Sequence, residues 1–91
     1  MENFRMNEGA KRFELDVDRQ MAIIDYFIKE GKIYLTHTEV PKELQGKGIG
    51  SQIVSKTLEH LKSINQKVVP TCTFVAAFVA RHPEYQSIIT S

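Results

Sequence analysis

The apolar positions along the chain change period near its middle. In the first half they alternate. Lys11-Arg-Phe-Glu-Leu-Asp-Val17 places Phe13, Leu15 and Val17 on one side, the two-residue period of a half-buried strand. Asp18 and Arg19 form a short polar connection into Gln20-Met-Ala-Ile-Ile-Asp-Tyr-Phe-Ile28, rich in β-branched and aromatic residues. Lys29-Glu-Gly-Lys32 supplies a glycine turn, and Lys32-Ile-Tyr-Leu-Thr-His-Thr-Glu-Val40 reads as a third strand. Pro41 ends it, because proline has no N–H for a ladder. Connections this short join neighbouring antiparallel strands, so the first half predicts a three-stranded meander.

From Ile49 the spacing becomes helical. Ile49, Ile53, Val54, Leu58, Leu61 and Ile64 form one stripe over about four turns, with Ser55, Lys56, Glu59 and Lys62 between them. Lys67-Val-Val-Pro-Thr-Cys72 is a short fourth strand, which reaches the third only with the helix as crossover. That predicts a right-handed β-α-β unit with parallel strands. Thr73 is placed to cap a last helix, Phe74–Arg81, interrupted by Pro83, and residues 83–89 add a further helical turn. The expected class is α+β: an antiparallel meander, one parallel crossover and a C-terminal helix. The aromatic residues Phe13, Tyr26, Phe27, Tyr34, Phe74 and Phe78 are expected in the core.

Composition narrows the function. At 91 residues, 42% hydrophobic and 25% charged, the chain has the profile of one small globular domain. A formal charge of +1 argues against a nucleic-acid binder that relies on bulk charge. The charge is uneven: residues 1–45 carry seven basic and nine acidic side chains, residues 46–91 five and two. The second half therefore leans toward anions. A single cysteine excludes a disulfide framework and a multi-thiolate metal site, and suits a reducing compartment. Residues 1–8 hold no apolar stretch of signal-peptide length, and the longest uncharged run, residues 68–80, is too short to span a bilayer. The expectation is a cytoplasmic protein without membrane or nucleic-acid partners and without a metal site.

The joint between the halves carries the chemistry. Three of the five glycines, at 46, 48 and 50, lie in Glu43-Leu-Gln-Gly-Lys-Gly-Ile-Gly-Ser51. Such a loop turns its N–H groups toward one point, and the helix behind it adds unpaired N–H groups and a positive dipole end. The natural guest is a phosphate or diphosphate, with Lys47 beside it. The plainer alternative is a crowded helix entry with no ligand. The ATP-type loop G-x-x-x-x-G-K-[ST] is absent, since Gly48 follows Lys47. The dinucleotide pattern G-x-G-x-x-G fails at its third glycine, where Ser51 stands.

Gln45-Gly-Lys-Gly-Ile-Gly50 does match Q/R-x-x-G-x-G/A between a strand and a long amphipathic helix. This setting resembles the acetyl-coenzyme A-binding motif of the GNAT superfamily of N-acetyltransferases, and the resemblance covers about residues 11–85 as one domain. Within the superfamily the chain is similar to short stand-alone members that keep the cofactor-binding core. The resemblance implies acetyl-coenzyme A as co-substrate. Its diphosphate would be held by backbone N–H groups of Gln45, Gly46, Lys47, Gly48, Ile49, Gly50 and Ser51. Its pantetheine arm would run between the parting third and fourth strands and pair with the Val40 backbone.

Acetyl transfer to an amine needs a neutral amine, a stabilised oxyanion and a proton for the departing thiolate. The base candidates are Glu39 and, two residues earlier on the same strand face, His37. Imidazole works near neutrality, whereas a carboxylate needs desolvation to do so. Cys72, between a strand and a helix N-terminus, is a candidate to accept the acetyl group or to protonate the coenzyme thiolate, against the alternative of a small buried hydrophobe. His60 and His82 are weaker candidates. The tyrosine acid that many GNAT enzymes carry on the last helix has no counterpart here: Phe78 and Val79 occupy that region, and Tyr85 lies a turn further on. Arg81 is a candidate for the coenzyme's 3′-phosphate. Two functions follow: an acetyl-coenzyme A-dependent N-acetyltransferase with an unidentified small-molecule or protein amine, or a non-catalytic module that binds or senses an acyl-coenzyme A. An interaction domain with no ligand is the third.

Overall fold

The computed structural model describes residues 3–91. Among them, β1 (Asn3–Asn7), β2 (Arg12–Val17), β3 (Gln20–Lys29), β4 (Lys32–Glu39) and β5 (Lys67–Pro70) form one mixed sheet in the order 1-2-3-4-5. The first four strands are antiparallel neighbours and β5 pairs parallel with β4. Helix α1 (Ile49–Ser63) makes the crossover, and α2 (Thr73–Arg81) and a 3-10 turn at Pro83–Ile88 follow β5. The α+β class and the parallel crossover are as the pattern predicts; the meander is not three-stranded. The pattern gives no sign of β1, since Asn-Phe-Arg-Met-Asn has no β-branched residue and asparagine at both ends. It pairs along β2 and packs Phe4 and Met6 against the core.

The hairpin turns explain the short connections. Asp18 and Arg19 both have positive φ (50° and 66°), as do Glu30 and Gly31 (55° and 77°). Two successive left-handed residues match the twist of the flanking strands. One face of the sheet carries Phe13, Leu15, Ala22, Ile24, Tyr26, Ile33, Leu35 and Val68 against Ile53, Val54, Leu58 and Leu61 of α1 and Val75, Phe78 and Val79 of α2, all in one buried cluster. The C-terminal segment lies along β5, where the Thr90 N–H donates to the Val68 carbonyl at 2.9 Å. Among the described residues no helix is long and apolar enough to cross a membrane.

Several element ends differ from the sequence reading. The stripe of α1 stops at Leu61, for Ile64 is the C-terminal boundary residue and 56% exposed. The fourth strand ends at Pro70, because Thr71 and Cys72 turn to bond the Leu35 carbonyl instead of a ladder partner. Cys72, not Thr73, occupies the N-terminal boundary position of α2, with no side-chain cap. Phe27, Tyr34 and Phe74 are not core: Phe27 stacks on half-buried Tyr34 at 4.6 Å on the opposite, open face of the sheet, and Phe74 is 41% exposed.

That open face holds a buried charge. Glu14 is 1% exposed and is flanked by Arg5 Nε at 2.6 Å, Arg12 Nε at 2.5 Å and Asn7 Nδ2 at 3.0 Å. The Arg12 hydrogen bond leads the effects that hold the Glu14 carboxyl below the usual carboxylate range; burial opposes it. A depressed carboxyl stabilises the fold above its unfolded-state value, and that contribution is lost as pH falls through the folded one. Arg12→Met should therefore raise the Glu14 carboxyl and flatten the acid limb of the stability curve. It should cost about 1 kcal/mol near neutrality, a charge-assisted bond discounted for a guanidinium one-third exposed. Urea melts from pH 3 to 7 check this, and an unchanged acid limb would contradict it.

Candidate functional site

Two irregularities of β4 build the site. Its pairing with β5 ends at Leu35–Pro70, although β4 continues to Glu39. The Leu35 carbonyl accepts the Cys72 N–H at 2.9 Å and the Thr71 hydroxyl at 3.0 Å, which turns the chain away into α2. Beyond this point the two strands part. On the other side, the register with β3 slips: Tyr26 opposes Leu35 and Asp25 opposes His37, so Thr36 is an extra residue. A bulge of this kind resets which residues face which side. Thr38 then opposes fully buried Ile24 and faces the helices, with its Oγ1 3.4 Å from Cys72 Sγ. His37 and Glu39 face the open side, with His37 Nε2 3.6 Å from Glu39 Oε1.

The loop after β4 is anchored by Leu44, 1% exposed, in a 3-10 turn at Lys42–Leu44. Gly46 (φ 82°) and Gly48 (φ 74°) are left-handed, and a Cβ at either would meet open space. These two glycines serve the path of the chain. Gly50 differs: a Cβ there would lie 2.9 Å from Phe74 Cζ, so it serves the close approach of α2. The Gln52 N–H makes the first bond of α1, to the Gly48 carbonyl at 3.1 Å. The helix itself thus leaves the N–H groups of Ile49, Gly50 and Ser51 unused. No side chain caps this end and no acidic residue lies in its first turn, so its positive end is uncompensated.

A cleft of about 380 Å³ lies in front of these amides. Gln45, Gly46, Gly48, Ile49, Gly50 and Ser51 line one side, Thr38 and Val40 another, with Leu44 and Phe74 completing it. Of the cofactor residues expected from sequence, seven of eight meet here. Lys47 instead reaches toward Asp18, 4.0 Å away. The Gln45 N–H is taken by the Lys42 carbonyl at 3.2 Å, and its side chain donates to the Val40 carbonyl at 3.4 Å. Gln45 therefore braces Val40 and does not offer its own amide. Thr38, Leu44 and Phe74 were not anticipated. The bulge that turns Thr38 inward leaves no mark in an alternating strand pattern, and Phe74 reads as core at helical spacing.

The three catalytic candidates divide into two groups. Cys72 is 8% exposed on the helix side. Burial pushes its thiol up, but the hydrogen bond with Thr38 and the neighbouring N–H groups of Val75, Phe74 and Thr38 outweigh this and leave it below the ordinary thiol value. His37 and Glu39 stand on the far face with side chains 58% and 68% exposed, so Glu39 lacks the desolvation a carboxylate base needs. Tyr85 is committed elsewhere, its hydroxyl donating to Glu59 at 2.6 Å. His60 packs edge-on against Phe13, and His82 Nδ1 lies 2.8 Å from the Phe78 carbonyl. Among the described residues no cluster of three His, Cys, Asp or Glu is placed to hold a metal ion.

Comparison with known proteins agrees with this geometry. Residues 12–88 match the family model described as GCN5-related N-acetyl-transferase. Protein NATD1 of Xenopus tropicalis is 25% identical over 87 residues, covering 89% of this chain and 79% of that protein. The NMR solution structure of a GCN5-like protein from Staphylococcus aureus superposes with a TM-score of 0.71 at 26% identity, covering 98% of this chain and 88% of that one. A family match over nearly the whole chain, on a fold with parted β4 and β5 strands and a glycine loop at the crossover helix, means that this chain belongs to the GCN5-related N-acetyltransferase family.

Proposed function

We propose that this chain, as a single domain, binds acetyl-coenzyme A in the cleft before the glycine loop and transfers the acetyl group to an amine. The supporting observation is the meeting of two features at one place: the uncompensated N-terminus of α1 behind Gly46 and Gly48, and the parting of β4 from β5 beyond Leu35. The coenzyme supplies an acyl group activated as a thioester. The N–H groups of Ile49, Gly50 and Ser51 hold its diphosphate, with Gly46 and Gly48 giving the backbone its path; Lys47 would add positive charge only on leaving Asp18. The Val40 main chain, braced by Gln45, aligns the pantetheine arm. Cys72 receives the acetyl group on its sulfur, and His37, oriented by the neighbouring Glu39 carboxylate, takes the proton of an amine arriving from the open face.

The alternative, a module that binds an acyl-coenzyme A without turnover, draws on a separate observation. No carboxylate or imidazole lines the cleft, and both base candidates stand in water on the other face. One experiment separates the two. The chain is titrated with acetyl-coenzyme A while backbone amide resonances are followed, and free thiol is then measured with a mixture of amines. The transferase predicts shifts concentrated at residues 40–51 and near Cys72, and thiol release that depends on amine. Binding without release supports the module. Absence of binding overturns both.

A further inference from the structure

One edge of the sheet is closed and the other is open. Along β5, Ile89 bridges to Val68 and the Thr90 N–H bonds the Val68 carbonyl at 2.9 Å. Among the described residues nothing pairs with the outer side of β1. The hairpin register fixes which groups this leaves free. Val17 and Gln20 flank the two-residue turn Asp18–Arg19, so they exchange both main-chain bonds. The pattern alternates from there, and the Tyr26 N–H bond to the Lys11 carbonyl at 3.0 Å keeps its phase. Asp16, Glu14 and Arg12 therefore bond β1, through Asn3, Arg5 and Asn7. The N–H and C=O groups of Phe4 and Met6 point outward, without a ladder partner.

We propose that a second copy of this chain fills this edge, β1 pairing antiparallel with its equivalent about a two-fold axis at Arg5. That register sets Phe4 opposite the partner's Met6, and Met6 opposite the partner's Phe4. Every outward residue then sits in a hydrogen-bonded pair, which makes about four main-chain bonds and joins two five-stranded sheets into one. Centring the axis on Phe4 or on Met6 forms about half as many bonds among the described residues. The side chains agree with this register. Phe4 and Met6 oppose Leu15 and Phe13 on the helix-covered face and are only half-buried in one copy. Pairing sets thioether against ring and extends the apolar layer across the axis. On the open face the axis brings two Arg5 side chains together, an arrangement unfavourable for bare charges. Here Glu14 Oε1 at 2.6 Å and Asp16 Oδ2 at 2.7 Å hold each guanidinium. Arg5 and Arg12 balance Glu14 and Asp16, so neither copy brings net charge to the axis. Strand β1 also lacks the proline, lysine or bulge that guards an edge. Only five residues pair, so the dimer is weak and forms at high concentration.

The test is sedimentation equilibrium of the full chain over a concentration series, with amide hydrogen exchange followed at each step. The mass should rise from 10.4 kDa toward twice that value as the chain approaches about 1 mM. Exchange at the Phe4 and Met6 amides should slow in step with the mass, about twofold where half the chain is paired. The Arg5 amide, bonded to β2, should be protected from the start. Met6→Pro removes one outward N–H at a place where an edge strand tolerates proline. It should keep the circular dichroism spectrum and stay monomeric throughout. A wild-type mass that holds at 10.4 kDa up to about 1 mM overturns the proposal. So does a dimer whose Phe4 and Met6 amides exchange as fast as in dilute solution, since another surface then holds it. A folded Met6→Pro that dimerises like the wild type overturns it too. If that variant fails to fold, the wild-type exchange decides alone.

Discussion

Gly48→Val is expected to weaken acetyl-coenzyme A binding by about a hundredfold or more in a chain that still folds. Gly48 sits at φ 74° and ψ 16°, immediately before the first residue of α1. A β-branched residue is an outlier there, and holding it in that conformation costs about 1–2 kcal/mol. Nothing surrounds the position of a Cβ, so the fold has room for the side chain. The strain is relieved by rotating the adjoining peptides, which turns the leading amides of α1 away from a common point. Each charge-assisted hydrogen bond to a diphosphate is worth about 1.5–3 kcal/mol. Losing two exceeds the roughly 2.7 kcal/mol that corresponds to a hundredfold. Gly50→Ala is the contrasting variant. Its methyl group meets the tip of a Phe74 ring that is 41% exposed and can swing outward, so affinity should fall less than about tenfold. Calorimetry of the two variants beside circular dichroism decides the matter: a folded Gly48→Val with wild-type affinity removes the phosphate cradle.

How far the site was readable from sequence follows from which forces act locally. The glycine loop was readable because left-handed backbone at Gly46 and Gly48 is a local demand, visible in residue type. The helix behind it was readable from the spacing of Ile53, Leu58 and Leu61. The division of Cys72 from His37 and Glu39 was not. An alternating strand places His37 and Glu39 on one face, which is correct, but the choice of face depends on the extra residue at Thr36. That bulge is a property of the β3–β4 register, set between strands. The same applies to Glu14, which a strand pattern assigns to the solvent side. It lies on that side yet is buried, because Arg5 of β1 folds over it. Phe27 and Tyr34 fail for a related reason: aromatic character signals burial only when another layer covers the face, and the helices cover one face of this sheet, while Phe74 sits on the side of α2 that borders the cleft.

Cys72→Ala is expected to slow amine-dependent thiol release by about a hundredfold or more, the scale of a positioned nucleophile or proton-transfer group. Cys72 lies where β5 turns away from β4, beside Thr38 and at the N-terminus of α2. Its hydrogen bonds with Thr38 and the nearby N–H groups hold the thiol below its ordinary value despite burial, so thiolate forms at a lower pH than for a free cysteine. Attack of that thiolate on the thioester carbonyl makes a new carbon–sulfur bond on Cys72 and breaks the old one, with the electron pair leaving on the coenzyme sulfur. With acetyl-coenzyme A and no amine, the wild type should therefore release free coenzyme A, its Cys72 thiol being consumed in exchange, and gain the mass of one acetyl group; Cys72→Ala should do neither. The rate should rise with pH as the thiolate forms and then level off. Thr38→Val removes one of the bonds that favour the thiolate, so the rising limb should move to higher pH with little change in melting temperature. A merely structural Thr38 would leave that limb in place. Full turnover by Cys72→Ala would instead make the sulfur a buried packing group, with direct attack of the amine on the thioester as the remaining route.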